Sequence, residues 1–158
     1  MGLLISREGL NAKQKQLADL QQRLIESQNF KGSIAIHSGD AWHDNNDFEQ
    51  CEIEERRLLH QIRILEEEIS SATVVEEVSG NRTTVNYGAK VSLKLVQNGR
   101  ELPTYTVLFS DSDEPAEFRK VSANSPLGAA IYKKREGDTG NYKVNSNEFT
   151  VTILKIEY

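Results

Sequence analysis

Two heptad-patterned stretches separated by a short polar loop constrain this chain more than any other feature. Phe48, Glu55, Ile62 and Ile69 recur every seventh residue, and Cys51, Leu58 and Leu65 interleave with them. That is an a/d seam, apolar except at Glu55, with charged residues elsewhere around the helix. Asp44 or Asn45 is the candidate cap, and Glu49 and Glu52 suit the positive end of the helix dipole. Upstream, Leu10, Leu17 and Leu24 repeat at the same interval with Leu20 between them, in a helix expected to start at Ser6. The stretch 31–36 fits helix less well: Gly32 and two Ile residues lower propensity, and a bend is expected there. Two such helices joined by a short loop bury their stripes on each other as an antiparallel hairpin. At about 1.5 Å per residue, Asp44 to Ile69 makes a rod of about 40 Å.

The reversal itself reads Ser38-Gly39-Asp40-Ala41-Trp42-His43-Asp44-Asn45-Asn46-Asp47. Carboxylates at the end of a rod are poorly placed to stabilise a fold and well placed to reach into another molecule. Hard Mg²⁺ takes oxygen ligands and keeps most of its waters, so Asp40 and Asp44 suit a half-site completed elsewhere. Capping by a solvated loop accounts for the same residues. Trp42 either stacks on a base or a partner, or closes the hairpin end locally. His37 and His43 beside these acids make a weak case for Zn²⁺. Arg56 and Arg57 either track a nucleic-acid backbone or pair with Glu at helical spacing, and pairing is the reading for Arg63.

The charge is unevenly placed. All of the net −5 lies in residues 1–73, which supports a division into a coiled-coil hairpin, 1–74, and a globular domain, 75–158. Hydrophobic content of 37% and aromatic content of 7% imply a modest core and much exposed helix surface. In the second part, 83–87 and 89–96 read as strands, Asn98-Gly99 as a hairpin turn, and 105–109 as the return strand. Residues 110–115 form a polar acidic loop, 127–134 a short helix, and 141–144 with 148–156 a final hairpin. The economical arrangement is α+β: an antiparallel sheet covered by one short helix. Lys133-Lys134-Arg135 reads as a solvated edge.

Cys51 is the single cysteine, so an internal disulfide is excluded and a reducing, cytoplasmic setting is expected. No run approaches the ~20 apolar residues of a membrane span, so no membrane partner is expected. Met1 to Ile5 is too short for a signal peptide, and the Gly2 to Ser6 match to a myristoylation pattern is loose. A nucleophile elbow, a glycine-rich phosphate loop and a paired-Cys zinc site are all missing from the sequence, so self-contained catalysis is poorly supported.

Ser122-Ala123-Asn124-Ser125-Pro126-Leu127-Gly128-Ala129-Ala130-Ile131-Tyr132, followed by Gly137-Asp138, resembles the carboxy-terminal signature of the bacterial GreA/GreB transcript-cleavage factors. The loop resembles that family's Gly-Asp-Leu-Ser-Glu-Asn-Ala-Glu-Tyr, with one extra residue and Asp for Glu, and the Val151 to Tyr158 ending is similar too. The resemblance implies an amino-terminal antiparallel coiled coil and an FKBP-like carboxy-terminal domain. It implies that the globular domain docks on RNA polymerase and the coil enters the secondary channel, near the nascent RNA 3′ end. The tip acids then help hold a Mg²⁺ shared with the polymerase active site, none being bound by the factor alone. The polymerase, not the factor, cuts backtracked RNA; the factor is an accessory and a monomer. By motif matching Asp40 and Asp44 take the essential acidic roles, and Asn45, Asp47, Trp42 and Phe48 are supporting tip residues. Asn124, Ser125 and Pro126 match the polymerase-contacting segment.

Three departures bear on this. The tip has an extra residue within Trp42-His43, its Asp side chains are one methylene shorter than Glu, and Glu52 stands where relatives tend to carry a basic residue. Two-metal chemistry needs ions about 3.5–4 Å apart, so a small shift abolishes cleavage while leaving binding intact. A channel-binding regulator or inhibitor without cleavage activity is therefore the second reading. A prolyl isomerase inferred from an FKBP-like fold is a third, resting on fold alone.

Overall fold

The computed structural model describes residues 2–38, 46–76, 82–112 and 114–158. It divides into two compact units, Met1–Leu10 with Ala72–Tyr158, and Asn11–Ser71. The first ten residues thus belong with the sheet, whereas the charge split had grouped them with the hairpin.

The hairpin unit is built from α1 (Arg7–Ser38) and α2 (Asn46–Ser71). Its buried seam is Leu20, Leu58, Ile62 and Leu65, flanked by Leu17, Leu24 and Ile69, which are the residues the heptad spacing selects. Helical structure continues through 31–36 to Ser38, where propensity suggested a bend. Lys31, Ile34 and Ala35 are partly buried in this stretch, and packing outweighs the small propensity deficit of Gly32. The apolar seam nevertheless fades toward the loop: Phe30 is 55% and Ile36 81% exposed, and Cys51 is the last buried apolar residue of α2 in that direction.

The other unit opens with β1 (Leu4–Ile5), which pairs in parallel with β2 (Thr73–Val74). Its main sheet contains β3 (Lys90–Gln97), β4 (Arg100–Glu101), β5 (Tyr105–Phe109), β6 (Arg119–Val121), β7 (Thr139–Val144) and β8 (Asn147–Glu157). Strand order is β6-β5-β3-β8-β7, with β4 paired to β3. The Asn98-Gly99 turn forms as the sequence indicates, with φ of 48° and 84°. Alternation on β3 sends Val91, Leu93 and Leu95 into the core with Val107, Phe109, Val151 and Ile153. The short helix α3 (Pro126–Ile131) adds Ala130 and Ile131 to that core.

The unit is α+β as expected, with four corrections. The sheet is mixed, because β6 lies parallel to β5. Residues 83–87 do not form a strand: only Thr84 makes an isolated bridge, to Arg135, while Val85 and Tyr87 are buried as an irregular segment. Helix α3 stops at Ile131, because Tyr132 leaves helical geometry and Lys133 turns to φ 60°. Where β8 pairs with β3 the register shifts between Ser92 and Leu93 of β3, leaving Leu154 of β8 as the extra residue of a bulge and 45% exposed.

Leu58 is fully buried in the seam and Leu59 is 51% exposed. Leu58→Ala is expected to cost about 2–5 kcal/mol and Leu59→Ala no more than about 0.5 kcal/mol, measured by denaturant unfolding followed through helical circular dichroism.

Candidate functional site

Of the tip residues singled out from sequence, Asp40, Trp42, Asp44 and Asn45 lie outside the described residues, as does His43. The elements that frame them are described: α1 ends at Ser38 and α2 begins at Asn46. Asp47 is exposed in the first turn of α2, where a carboxylate suits the helix dipole. Phe48 is half-buried, and the Lys31 ammonium lies 5.6 Å from its ring centroid. The same ammonium donates to a Glu55 carboxylate oxygen at 2.8 Å. That contact, opposing the cost of partial burial, raises the Lys31 pKa above its ordinary value of 10.5. The break in the seam at Glu55 is thus filled by a cation from the facing helix.

The candidate nucleic-acid-tracking residues are engaged locally. Arg57 lies 3.8 Å from Glu54, which also pairs with Arg23 at 2.8 Å, and Arg63 pairs with Glu67 at 3.1 Å. Arg56 donates to the Glu52 carbonyl at 3.3 Å. His37 Nδ1 lies 2.7 Å from the Ser33 carbonyl oxygen, and no group of His, Cys, Asp or Glu among the described residues is arranged to hold a metal ion.

The second predicted site, Asn124-Ser125-Pro126, sits at the start of α3. Ser125 caps the helix: its Oγ accepts from Gly128 N–H at 3.0 Å and donates to the Ser122 carbonyl at 2.8 Å. Pro126 fills the first helical turn, where a missing N–H costs nothing. Gly128 is required by space, since a Cβ there would stand 1.7 Å from the Ser122 carbonyl oxygen. Asn124 has a different task. Its Oδ1 accepts from Leu4 N–H at 2.9 Å and its Nδ2 donates to the Leu4 carbonyl at 2.6 Å. The side-chain amide therefore pairs with Leu4 as a neighbouring strand would.

Two residues that sequence reasoning passed over complete this anchor. Tyr87 donates its hydroxyl to the Leu4 carbonyl at 3.0 Å. Asp111 accepts from Ser6 N–H at 2.7 Å and from Ser6 Oγ, while Ser6 Oγ accepts from Gly9 N–H at 3.0 Å and so caps α1. Gly9 leaves room for the Asp111 carboxylate, which a Cβ would meet at 2.5 Å. The one sequence signal for Asp111 was its place in an acidic loop; nothing in spacing links it to Ser6. Burial first, and the nearby Asp111 charge second, push the Tyr87 phenol up to about 12.

With this geometry in place, the comparisons decide the family. Residues 80–158 match the family described as "Transcription elongation factor, GreA/GreB, C-term". The transcription elongation factor GreA of Treponema pallidum (strain Nichols) is 30% identical over 155 residues, covering 98% of this chain and 94% of that protein. The chain belongs to the GreA/GreB family. GreA of Syntrophomonas wolfei is 25% identical over 155 residues, covering 98% of this chain and 96% of its own. Among solved structures, GreA factor homolog 1 (Gfh1) of Thermus thermophilus aligns over 100% of both chains, with a TM-score of 0.45 and 23% identity. Among the described residues of this GreA/GreB-family chain, no helix is long and apolar enough to cross a membrane.

A phenol whose folded pKa lies above the unfolded value of 10 stabilises the fold fully below pH 10. That contribution is lost as pH rises from 10 toward 12. The parent is therefore expected to lose more stability across this interval than Tyr87→Phe. Denaturant midpoints of both proteins, measured at about one pH unit below the lower limit and near the upper one, check this.

Proposed function

We propose that this protein is an accessory factor of RNA polymerase that enters the secondary channel and stimulates the polymerase's own cleavage of backtracked RNA. The observation that carries this reading is the pair Asp40 and Asp44, held in the short connection between Ser38 and Asn46 in a member of the GreA/GreB family. Carboxylate oxygens are hard donors that match Mg²⁺, and Asp40 and Asp44 are the residues that would hold an ion shared with the polymerase. When bound, the ion supplies charge stabilisation for phosphodiester hydrolysis. The chain's own part is to present the two carboxylates, with Asp47 and Asn45 supporting them and Trp42 and Phe48 flanking.

The globular unit supplies the docking segment in this reading. Asn124, Ser125 and Pro126 are the contact segment in this reading: internal hydrogen bonds fix the side chains of Asn124 and Ser125, and Asn124 and Pro126 are exposed for a partner. Nascent RNA near its 3′ end is the second partner. The cytoplasm, where the polymerase works, is the location this reading requires.

Transcript cleavage by stalled elongation complexes tests the reading. Asp40→Ala and Asp44→Ala are each expected to lower the cleavage rate by about 10–100-fold with polymerase binding retained. If both variants match the parent, the acids have no such role. The lengthened, Asp-bearing tip favours one specific alternative outcome: a parent that binds polymerase and slows synthesis with no shortened transcripts is a channel-binding regulator.

A further inference from the structure

The hairpin is held in two different ways along its length. Leu20 meets Leu58, Ile62 and Leu65 in a dry seam, whereas toward the loop Phe30 and Ile36 of α1 turn outward, Ile34 is only partly buried and Cys51 is the one buried apolar residue among those described. In that half a heptad position of α2 is occupied by Glu55, and Lys31 of α1 reaches it. Of the ion pairs among the described residues this is the least exposed, with side chains 26% and 13% accessible against 79% and 67% for Arg63 and Glu67. Glu55 Oε1 is buried with no hydrogen-bond partner, so the carboxylate depends on Lys31 for its one strong contact. The ammonium also lies 5.6 Å from the Phe48 ring centroid, in the first turn of α2. One cation thereby links α1, the middle of α2 and the residues that immediately follow the loop.

We propose that Lys31 is a positioning residue, fixing the start of α2 through Glu55 and Phe48 and so setting where the loop between Ser38 and Asn46 presents its carboxylates. This rests on the functional reading above for its consequence, not for its geometry. A hydrophobic pair at these positions gives adhesion without direction. A charged pair with one carboxylate oxygen still unsatisfied adds direction, because moving Lys31 away from Glu55 leaves a largely buried carboxylate without its cation.

The test compares the full-length parent with Lys31→Met, Glu55→Gln, the exchanged double variant Lys31→Glu with Glu55→Lys, and Lys13→Met. The last removes an analogous α1–α2 pair, Lys13 with Glu68, on the other side of the dry seam. Amide hydrogen exchange is read at residues 50–53, the first amides of α2 with partners inside the helix. Lys31→Met and Glu55→Gln are expected to speed exchange there about 10-fold while leaving 62–65 within about two-fold. Lys13→Met is expected to leave 50–53 unchanged, and the exchanged pair to restore most of the protection. In the cleavage assay at saturating factor, Lys31→Met lowers the maximal rate about 10-fold with the half-saturating concentration within about two-fold of the parent, as misplacement rather than lost binding requires. Unchanged exchange at 50–53 overturns the proposal, and so does faster exchange with an unchanged maximal rate. A parent that cleaves nothing sinks the cleavage reading instead, and the exchange pattern then still decides whether Lys31 fixes the start of α2.

Discussion

The backbone of residues 4–6 depends on side chains brought from distant parts of the chain. Strand β1 is only two residues long, so its ladder with β2 is short; Thr73 N–H to the Leu3 carbonyl at 2.7 Å and Val75 N–H to the Ile5 carbonyl at 2.8 Å extend it at its ends. The remaining groups need partners, since unpaired backbone polar groups beside a core are costly. Asn124 takes both the N–H and the carbonyl of Leu4, Tyr87 adds a second donor to that carbonyl, and Asp111 takes the N–H of Ser6. With these bonds made, Ile5 is buried to 1% exposure and Ser6 is set to cap α1.

This arrangement changes what the Asn124-Ser125-Pro126-Leu127-Gly128 signature means. A conspicuous polar motif at a helix start invites a reading as a contact surface. Here Asn124 pairs with Leu4, Ser125 caps α3, and Gly128 is small because the Ser122 carbonyl occupies the space of a side chain. These bonds account for the residue types of the signature within this fold, and any partner meets the surface they shape.

Legibility in the sequence followed the range of the interaction. The heptad seam, the Asn98-Gly99 turn and the β7–β8 hairpin were readable because period and turn chemistry are local. The parallel placement of β6, the irregular course of 83–87 and the bulge at Leu154 were not, since each is decided by the neighbour the segment packs against. Glu55 was visible as a fault in the seam, but its partner was not, because Lys31 lies in a stretch of weak helix propensity on the other helix. Asp111 and Tyr87 were invisible for the same reason, since their partners Ser6 and Leu4 lie far away along the chain. The tip acids were legible as chemistry, through their residue types and their loop, and that reading rests on sequence and family membership.

The most direct measurement is on the anchor of residues 4–6. Through-hydrogen-bond scalar couplings in ¹⁵N,¹³C-labelled protein report donor and acceptor together. The account predicts a cross-peak from the Leu4 amide nitrogen to Asn124 Cγ, and another from the Ser6 amide nitrogen to Asp111 Cγ. Leu4 and Ser6 amides that show neither coupling and exchange with water at unfolded-chain rates would contradict it.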